Sequence, residues 1–247
     1  MRQLLFTLFA IIIFFGATAQ KNKTPKAKLT ENTIVRDTAG TIYPYDIWRR
    51  FAMNSNYSLM PVDPNSETSD FVIKRLSPEQ RKMIMEKMPK PRETNYFKTG
   101  ASFSNFKERD IEGNKYNLKE LRGKVVVLNY WFINCPPCQM EIPELNTLVE
   151  EFKENKDVVF IAIALDQKYA LQDFLRTMPF NYNIIENGRY LAEDNRVKSF
   201  PTHVVLDKEG KIVFHTTGLS KNTVYWVKKS LEDALAKTLP LDVVKGK

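Results

Sequence analysis

The stretch Asn129-Tyr130-Trp131-Phe132-Ile133-Asn134-Cys135-Pro136-Pro137-Cys138-Gln139-Met140-Glu141-Ile142-Pro143-Glu144-Leu145 decides the reading of this chain. It is preceded by Lys124 to Leu128, which with Asn129, Tyr130 and Trp131 makes a run of buried-strand length and composition. A helical pattern follows it from about Pro137 to Lys153. A strand therefore delivers the chain to a short turn, and the cysteine pair opens a helix. Unpaired backbone N–H groups and the helix dipole favour a thiolate at such a place, so Cys135 is expected to be the acidic thiol. Pro136 and Pro137 stiffen the turn at little cost, because the first helical N–H groups lack partners in any case.

Stepping ~100° per residue places Glu141, Leu145, Leu148, Val149 and Phe152 on one helix face, with Cys138 on the same face and Cys135 at its edge. The expectation is an exposed Cys135 that attacks and forms a mixed disulfide, and a shielded Cys138 that resolves it. Glu141 lies on the apolar face one turn after Cys138. From periodicity it is either a proton-exchanging carboxylate or a glutamate whose tip escapes to solvent. Asn129 cannot titrate and reads as a hydrogen-bonding core residue, and Trp131 reads as packing.

The chain has 247 residues, two cysteines and a formal charge of +8, with Lys and Arg interspersed among Asp and Glu. That length carries a full core, and dispersed charge reads as a solvated basic surface rather than a nucleic-acid site. Arg2, the apolar run from Leu4 to Phe15 and the small-x-small pattern Ala17-Thr18-Ala19 read as a signal peptide over residues 1–19, cut before Gln20. Retention as an anchor is the alternative, although the run is shorter than the ~20 residues a spanning helix needs. The expected location is the periplasm or cell envelope, with the mature protein soluble. In an exported chain, two cysteines only two residues apart close too small a loop to stabilise much, so reactivity explains them better than architecture.

Residues 20–98 read as a Lys-rich leader and a small α+β extension. It holds a hairpin around Asp37-Thr38-Ala39-Gly40, a short helix from Asp46 to Met53, and a helix opened by the capping box Ser77-Pro78-Glu79-Gln80. Residues 99–247 read as an α/β domain with a mixed sheet. Beyond the central strand and helix, its strands are expected at 158–165, 202–206 and 211–216, and its helices at 170–177 and 223–237.

Asn129, Trp131, Cys135, Cys138, Glu141 and Pro143 match, residue by residue, the pattern of the thioredoxin superfamily, within it the exported TlpA/ResA-like thiol:disulfide oxidoreductases. Phe200-Pro201-Thr202 before a strand resembles the family's cis-proline segment. The resemblance spans roughly residues 100 to 240 and implies a thioredoxin-like fold, protein thiol and disulfide substrates, a membrane electron carrier as partner, and no cofactor. It implies that Glu141 handles the proton of Cys138, that Trp131 walls the site, and that Pro201 holds a backbone edge open for substrate and keeps metal from the thiols. Asn134 departs from it, because relatives commonly carry Trp before the first cysteine.

Half a zinc site is the main rival for a CxxC, but His203 and His215 are the only histidines to complete it, and they read as strand residues. A copper-delivery protein resembles a CxxxC pattern with a dedicated histidine. A thiol peroxidase would have Thr where Phe132 stands, and a cysteine protease lacks its histidine pattern. A thioredoxin-fold binding module with a vestigial CxxC is the non-enzymatic alternative. A monomer is expected, with no metal and no nucleic acid.

Overall fold

The computed structural model describes residues 26–237. The signal-peptide reading of residues 1–19, the start of the leader and the last ten residues lie outside the described part. Among the described residues no helix is long and apolar enough to cross a membrane.

The first described segment contains β1 (Val35–Arg36), β2 (Ile42–Tyr43), α1 (Tyr45–Met53), β3 (Tyr57–Pro61), β4 (Phe71–Arg75) and α2 (Pro78–Lys87). Asp37 turns the chain between β1 and β2, its Oδ1 accepting the N–H groups of Ala39 and Thr41 while Gly40 adopts φ +94°. The four strands form one sheet in the order β2-β1-β4-β3, and Val35, Phe71 and Ile73 pack with Trp48 of α1. Ser77 and Gln80 form the expected reciprocal capping box at the start of α2. Strands β3 and β4 were not foreseen, because Tyr57–Pro61 ends on a proline and β4 has only three apolar residues in a row.

The remaining elements are β5 (Lys107–Arg109), β6 (Lys115–Asn117), β7 (Val125–Trp131), α3 (Pro136–Phe152), β8 (Val158–Ala164), α4 (Lys168–Thr177), β9 (Asn183–Ile185), α5 (Arg189–Asp194), β10 (Thr202–Leu206), β11 (Ile212–Thr217) and α6 (Thr223–Ala236). The major sheet has the order β11-β10-β7-β8-β9. Strand β7 pairs in parallel with β8, and β8 with β9, whereas β10 runs antiparallel to both β7 and β11. All seven residues of β7 are buried. Alternation sends Val125, Val127 and Trp131 into a core shared with Ile142, Leu145 and Leu148 of α3 and Val224, Val227 and Leu231 of α6. Val126, Leu128 and Tyr130 enter a second core on the opposite face with Phe103, Phe106 and Leu118. Burial on both faces explains why β7 reads as a continuous apolar run.

Helix α3 passes through Pro143 without ending, although that residue has no N–H to bond the carbonyl four residues back. The next residue, Glu144, ties α3 to the first segment. Its Oε1 accepts from Ser55 Oγ at 2.6 Å and from Arg81 Nη2 at 2.8 Å. Further links are Asn222 Nδ2 to the Pro89 carbonyl at 3.0 Å, and the Thr94 N–H to His215 Nδ1 at 3.0 Å.

Burial raises the Glu144 carboxyl above its ordinary range, with Ser55 and Arg81 opposing the shift. The folded state therefore holds that proton more tightly than the unfolded chain, and the carboxyl costs stability as pH rises through the carboxylate range. Glu144→Gln, which does not titrate, should gain stability relative to the native sequence as pH rises from about 4 to about 7. Urea unfolding midpoints across that range check this; a difference independent of pH would refute it.

Candidate active site

Cys135 is the N-cap of α3, with extended backbone (φ −113°, ψ 93°), and Pro136 and Pro137 occupy the first helical positions. Cys135 and Cys138 are joined by a disulfide with Cα atoms 5.2 Å apart. Cys135 Sγ also accepts the N–H of Cys138 at 3.3 Å. The sulfur therefore sits where unpaired N–H groups and the helix dipole favour negative charge.

The expected difference in exposure between the two sulfurs is not seen. Cys135 is 2% exposed and Cys138 3%, and both belong to the core between the sheet and α3. Stepping 100° per residue does not apply to an N-cap, whose backbone is not helical, so the helical wheel misplaces Cys135. With the bridge closed, its Sγ is folded over the first turn, and Phe132, Ile133 and Phe200 pack against the same core. What distinguishes the two cysteines is the backbone: Cys135 lies outside the helix with an N–H directed at its sulfur, and Cys138 lies within it.

The loop before Cys135 is held from two sides. Asp166 Oδ2 accepts the Ile133 N–H at 2.7 Å, and Gln139 Nε2 donates to the Ile133 carbonyl at 2.7 Å. Neither residue was foreseen, because both act on backbone that only the fold brings near. Asn134 and Pro136 are exposed, Pro137 and Phe200 half-buried, and Pro201 buried. The Phe200–Pro201 peptide is cis. Phe132 and Phe200 meet edge to face with centroids 5.4 Å apart, so an aromatic pair is present beside the cysteines although Asn134 is not aromatic.

Two expected site residues turn inward. Trp131 is fully buried between Phe174 and Phe180, at centroid distances of 5.6 and 5.4 Å, so it supports the site from within the core and is not an open wall. Thr202 is also fully buried, its hydroxyl engaged with Tyr96, Thr217 and the Ser199 carbonyl at 2.7–2.9 Å. A side chain so occupied fixes the start of β10 and offers no atom to a substrate.

Glu141 is 4% exposed, and its tip does not escape to solvent. The register of β10 on β7 sets His203 opposite Asn129, with Asn129 Nδ2 3.2 Å from His203 Nδ1. His203 Nε2 then lies 2.9 Å from Glu141 Oε2. His203 is thus more than the plain strand residue expected. The available signal was a basic side chain within Thr202–Leu206, a strand buried at every position. His215 pairs with Val204 and so points to the opposite sheet face, where burial lowers its imidazole below the usual range. The two histidines cannot join one metal site with the cysteines.

A mixed five-stranded sheet with a CxxC at the β7–α3 junction and a proline opening β10 defines a thioredoxin-like protein. The AhpC/TSA family profile matches residues 99–215. The chain is 34% identical over 143 residues to a thiol-disulfide oxidoreductase ResA of Bacillus cereus, covering 57% of this chain and 79% of that protein. It is 30% identical over 121 residues to ResA of Bacillus subtilis, covering 48% and 67% respectively. Similar solved folds include a protein of Chlorobium tepidum described as a thiol:disulfide interchange protein DsbE, with TM-score 0.52, 23% identity, and coverage of 56% of this chain and 99% of that one. Another is a Bacteroides thetaiotaomicron protein described as a protein disulfide isomerase, with TM-score 0.53, 23% identity, and coverage of 57% and 91%. The chain belongs to the thioredoxin-like family of ResA-type thiol-disulfide oxidoreductases.

Removing the acceptor of the Ile133 N–H should loosen the approach to Cys135. Asp166→Ala is expected to cost about 1–3 kcal/mol in denaturant unfolding and to accelerate amide exchange at Ile133, whereas Asp166→Asn retains most of the protection. Unchanged exchange at Ile133 in Asp166→Ala would show that the loop is held by other contacts.

Proposed function

We propose that this protein is an exported protein-disulfide reductase working through Cys135 and Cys138, with residues 99–247 carrying the chemistry and 20–98 forming an appended segment that braces α3. The observation that carries this reading is the Cys135–Cys138 bridge at the N-terminus of α3, with the Cys138 N–H directed at Cys135 Sγ. Family membership supports protein thiols and disulfides as substrates, and the sequence of residues 1–19 supports export to the periplasm or cell envelope.

In the reducing direction the cycle starts from the dithiol. The Cys135 thiolate attacks one sulfur of the substrate disulfide, forming a mixed disulfide and releasing the first substrate thiolate. Cys138 then loses its proton and attacks Cys135 Sγ. The internal bridge forms, the bond from Cys135 to the substrate breaks, and the second substrate thiolate leaves. Two electrons pass to the substrate, and its two thiolates take up the protons of the two cysteines. The bridged form is the oxidised end of this cycle. Glu141, buried one turn beyond Cys138, receives the Cys138 proton during resolution. Phe200, Pro201, Asn134, Pro136 and Pro137 border the place where substrate meets Cys135, with Trp131 and Thr202 fixing them from beneath.

Reduction of substrates in an oxidising compartment requires a partner that reduces the bridge again, and a membrane electron carrier fits that need. In a coupled insulin-reduction assay, the native protein should be active and Cys135→Ser inactive. In an envelope extract Cys138→Ser should accumulate mixed disulfides that Cys135→Ser does not, and the reverse pattern would exchange the two roles. The midpoint potential against glutathione should lie below roughly −230 mV, and a value near that of strong oxidants, about −120 mV, would reverse the proposed direction.

A further inference from the structure

The Glu141 carboxylate is not alone in its pocket. His203 comes from β10, 62 residues further along, is fully buried, and lies within 2.9 Å of Glu141 Oε2. Behind it, Asn129 Nδ2 lies 3.2 Å from His203 Nδ1 and 3.4 Å from its Nε2. A carboxylate oxygen can only accept, so a neutral imidazole bonded to Glu141 Oε2 carries its proton on Nε2 and leaves Nδ1, the ring nitrogen nearer the amide, to accept. The other carboxylate oxygen, Oε1, is buried and accepts no hydrogen bond from the described residues. One oxygen is therefore held by a fixed donor while its twin remains free to receive a proton.

We infer that Glu141 and His203 form a dyad that takes up a single proton, in which His203 is the positioning residue that holds Oε2 and leaves Oε1 to accept the proton of Cys138. This inference rests on the function proposed above and adds the partner that makes its proton step work. Before resolution the dyad is a carboxylate and a neutral imidazole, with net charge −1. When Cys138 attacks Cys135 Sγ, its proton passes to Glu141 and the dyad becomes neutral. The leaving substrate thiolate takes up a proton through solvent, Glu141 releases its own, and the dyad returns to its starting state. No electron passes through the dyad; the two electrons leave with the substrate sulfur.

Without its donor, a buried carboxylate would be neutral over more of the pH range, because burial disfavours charge while a hydrogen bond to the charged form favours it. The other groups facing the pair are few. Cys138 and Glu144 come from α3, and Glu144 is already engaged by Ser55 and Arg81. Tyr182, ahead of β9, is buried and feels the Glu141 charge, and burial holds its phenol far above the usual range. Lys221, ahead of α6, feels the charge of Glu144, and burial lowers its ammonium below the usual range. Strand β7 contributes the uncharged Asn129. None of these supplies a second fixed donor to Glu141.

The test uses the reduced protein and a small aromatic disulfide with a chromogenic leaving thiolate. The first equivalent released reports attack by Cys135, and the second reports resolution by Cys138. In His203→Leu the first phase should keep its pH profile, while the profile of the second moves upward by roughly one pH unit, about a tenfold slower resolution on the acid limb. His203→Gln, which can still donate to Oε2, should restore most of the native profile. In Glu141→Gln, adding His203→Leu should change nothing further. An unmoved second phase in His203→Leu, or the same shift in the Glu141→Gln background, overturns the dyad. If His203→Leu does not fold, a second phase in His203→Gln displaced as far as that of Glu141→Gln also overturns it, and a near-native one supports it. Loss of the first phase in the native protein would instead refute the function proposed above.

Discussion

The Cys138 N–H directed at Cys135 Sγ is the contact on which the rest of the site depends. It exists because α3 begins at a residue with extended backbone and because two prolines follow, leaving the first turn with few N–H groups and aiming one of them at sulfur. Backbone N–H groups and the helix dipole favour a thiolate at this position. Everything around the first turn serves to hold it still: Asp166 and Gln139 grip the Ile133 peptide, the Phe132–Phe200 pair lies alongside, and the β7–β10 ladder supports it from below.

The same helix is constrained along its buried face. Cys138, Glu141 and Leu145 follow one another at helical spacing and meet, in turn, the disulfide, His203 and the apolar core. One turn from Glu141, Glu144 meets Arg81 and Ser55, so the first segment is anchored directly to the helix that carries the thiols. A buried carboxylate with a cation within 2.8 Å is tolerated where an unpaired one would be expelled or neutralised. The two glutamates of α3 thus have different surroundings: Glu144 faces a permanent cation, whereas Glu141 faces an imidazole and has one oxygen free.

Elements with strong local signals were legible in the sequence. Strand β7 is apolar on both faces, α3 and α6 follow helical periodicity, Ser77 and Gln80 form a capping box, and the β1–β2 turn is written in Asp37 to Gly40. Short elements whose stability comes from neighbours were not: β3, β4, β5, β6, β9 and α5 carry too few patterned residues to stand out. Within the site, helical periodicity correctly set Cys138 and Glu141 on the buried face but misjudged Cys135, because periodicity ends where the helix does.

The sequence by itself determined that two cysteines open a helix behind a buried strand, and that a glutamate follows one turn later on the inner face. These are local facts, set by proline, hydrophobic period and capping. Only the tertiary structure decided what the glutamate meets. The partnership of Glu141 with His203 and Asn129 depends on the antiparallel register of β10 against β7, which pairs residues 74 positions apart. A shift of that register by one residue would turn His203 to the opposite face of the sheet, and no local pattern in either segment specifies the register alone.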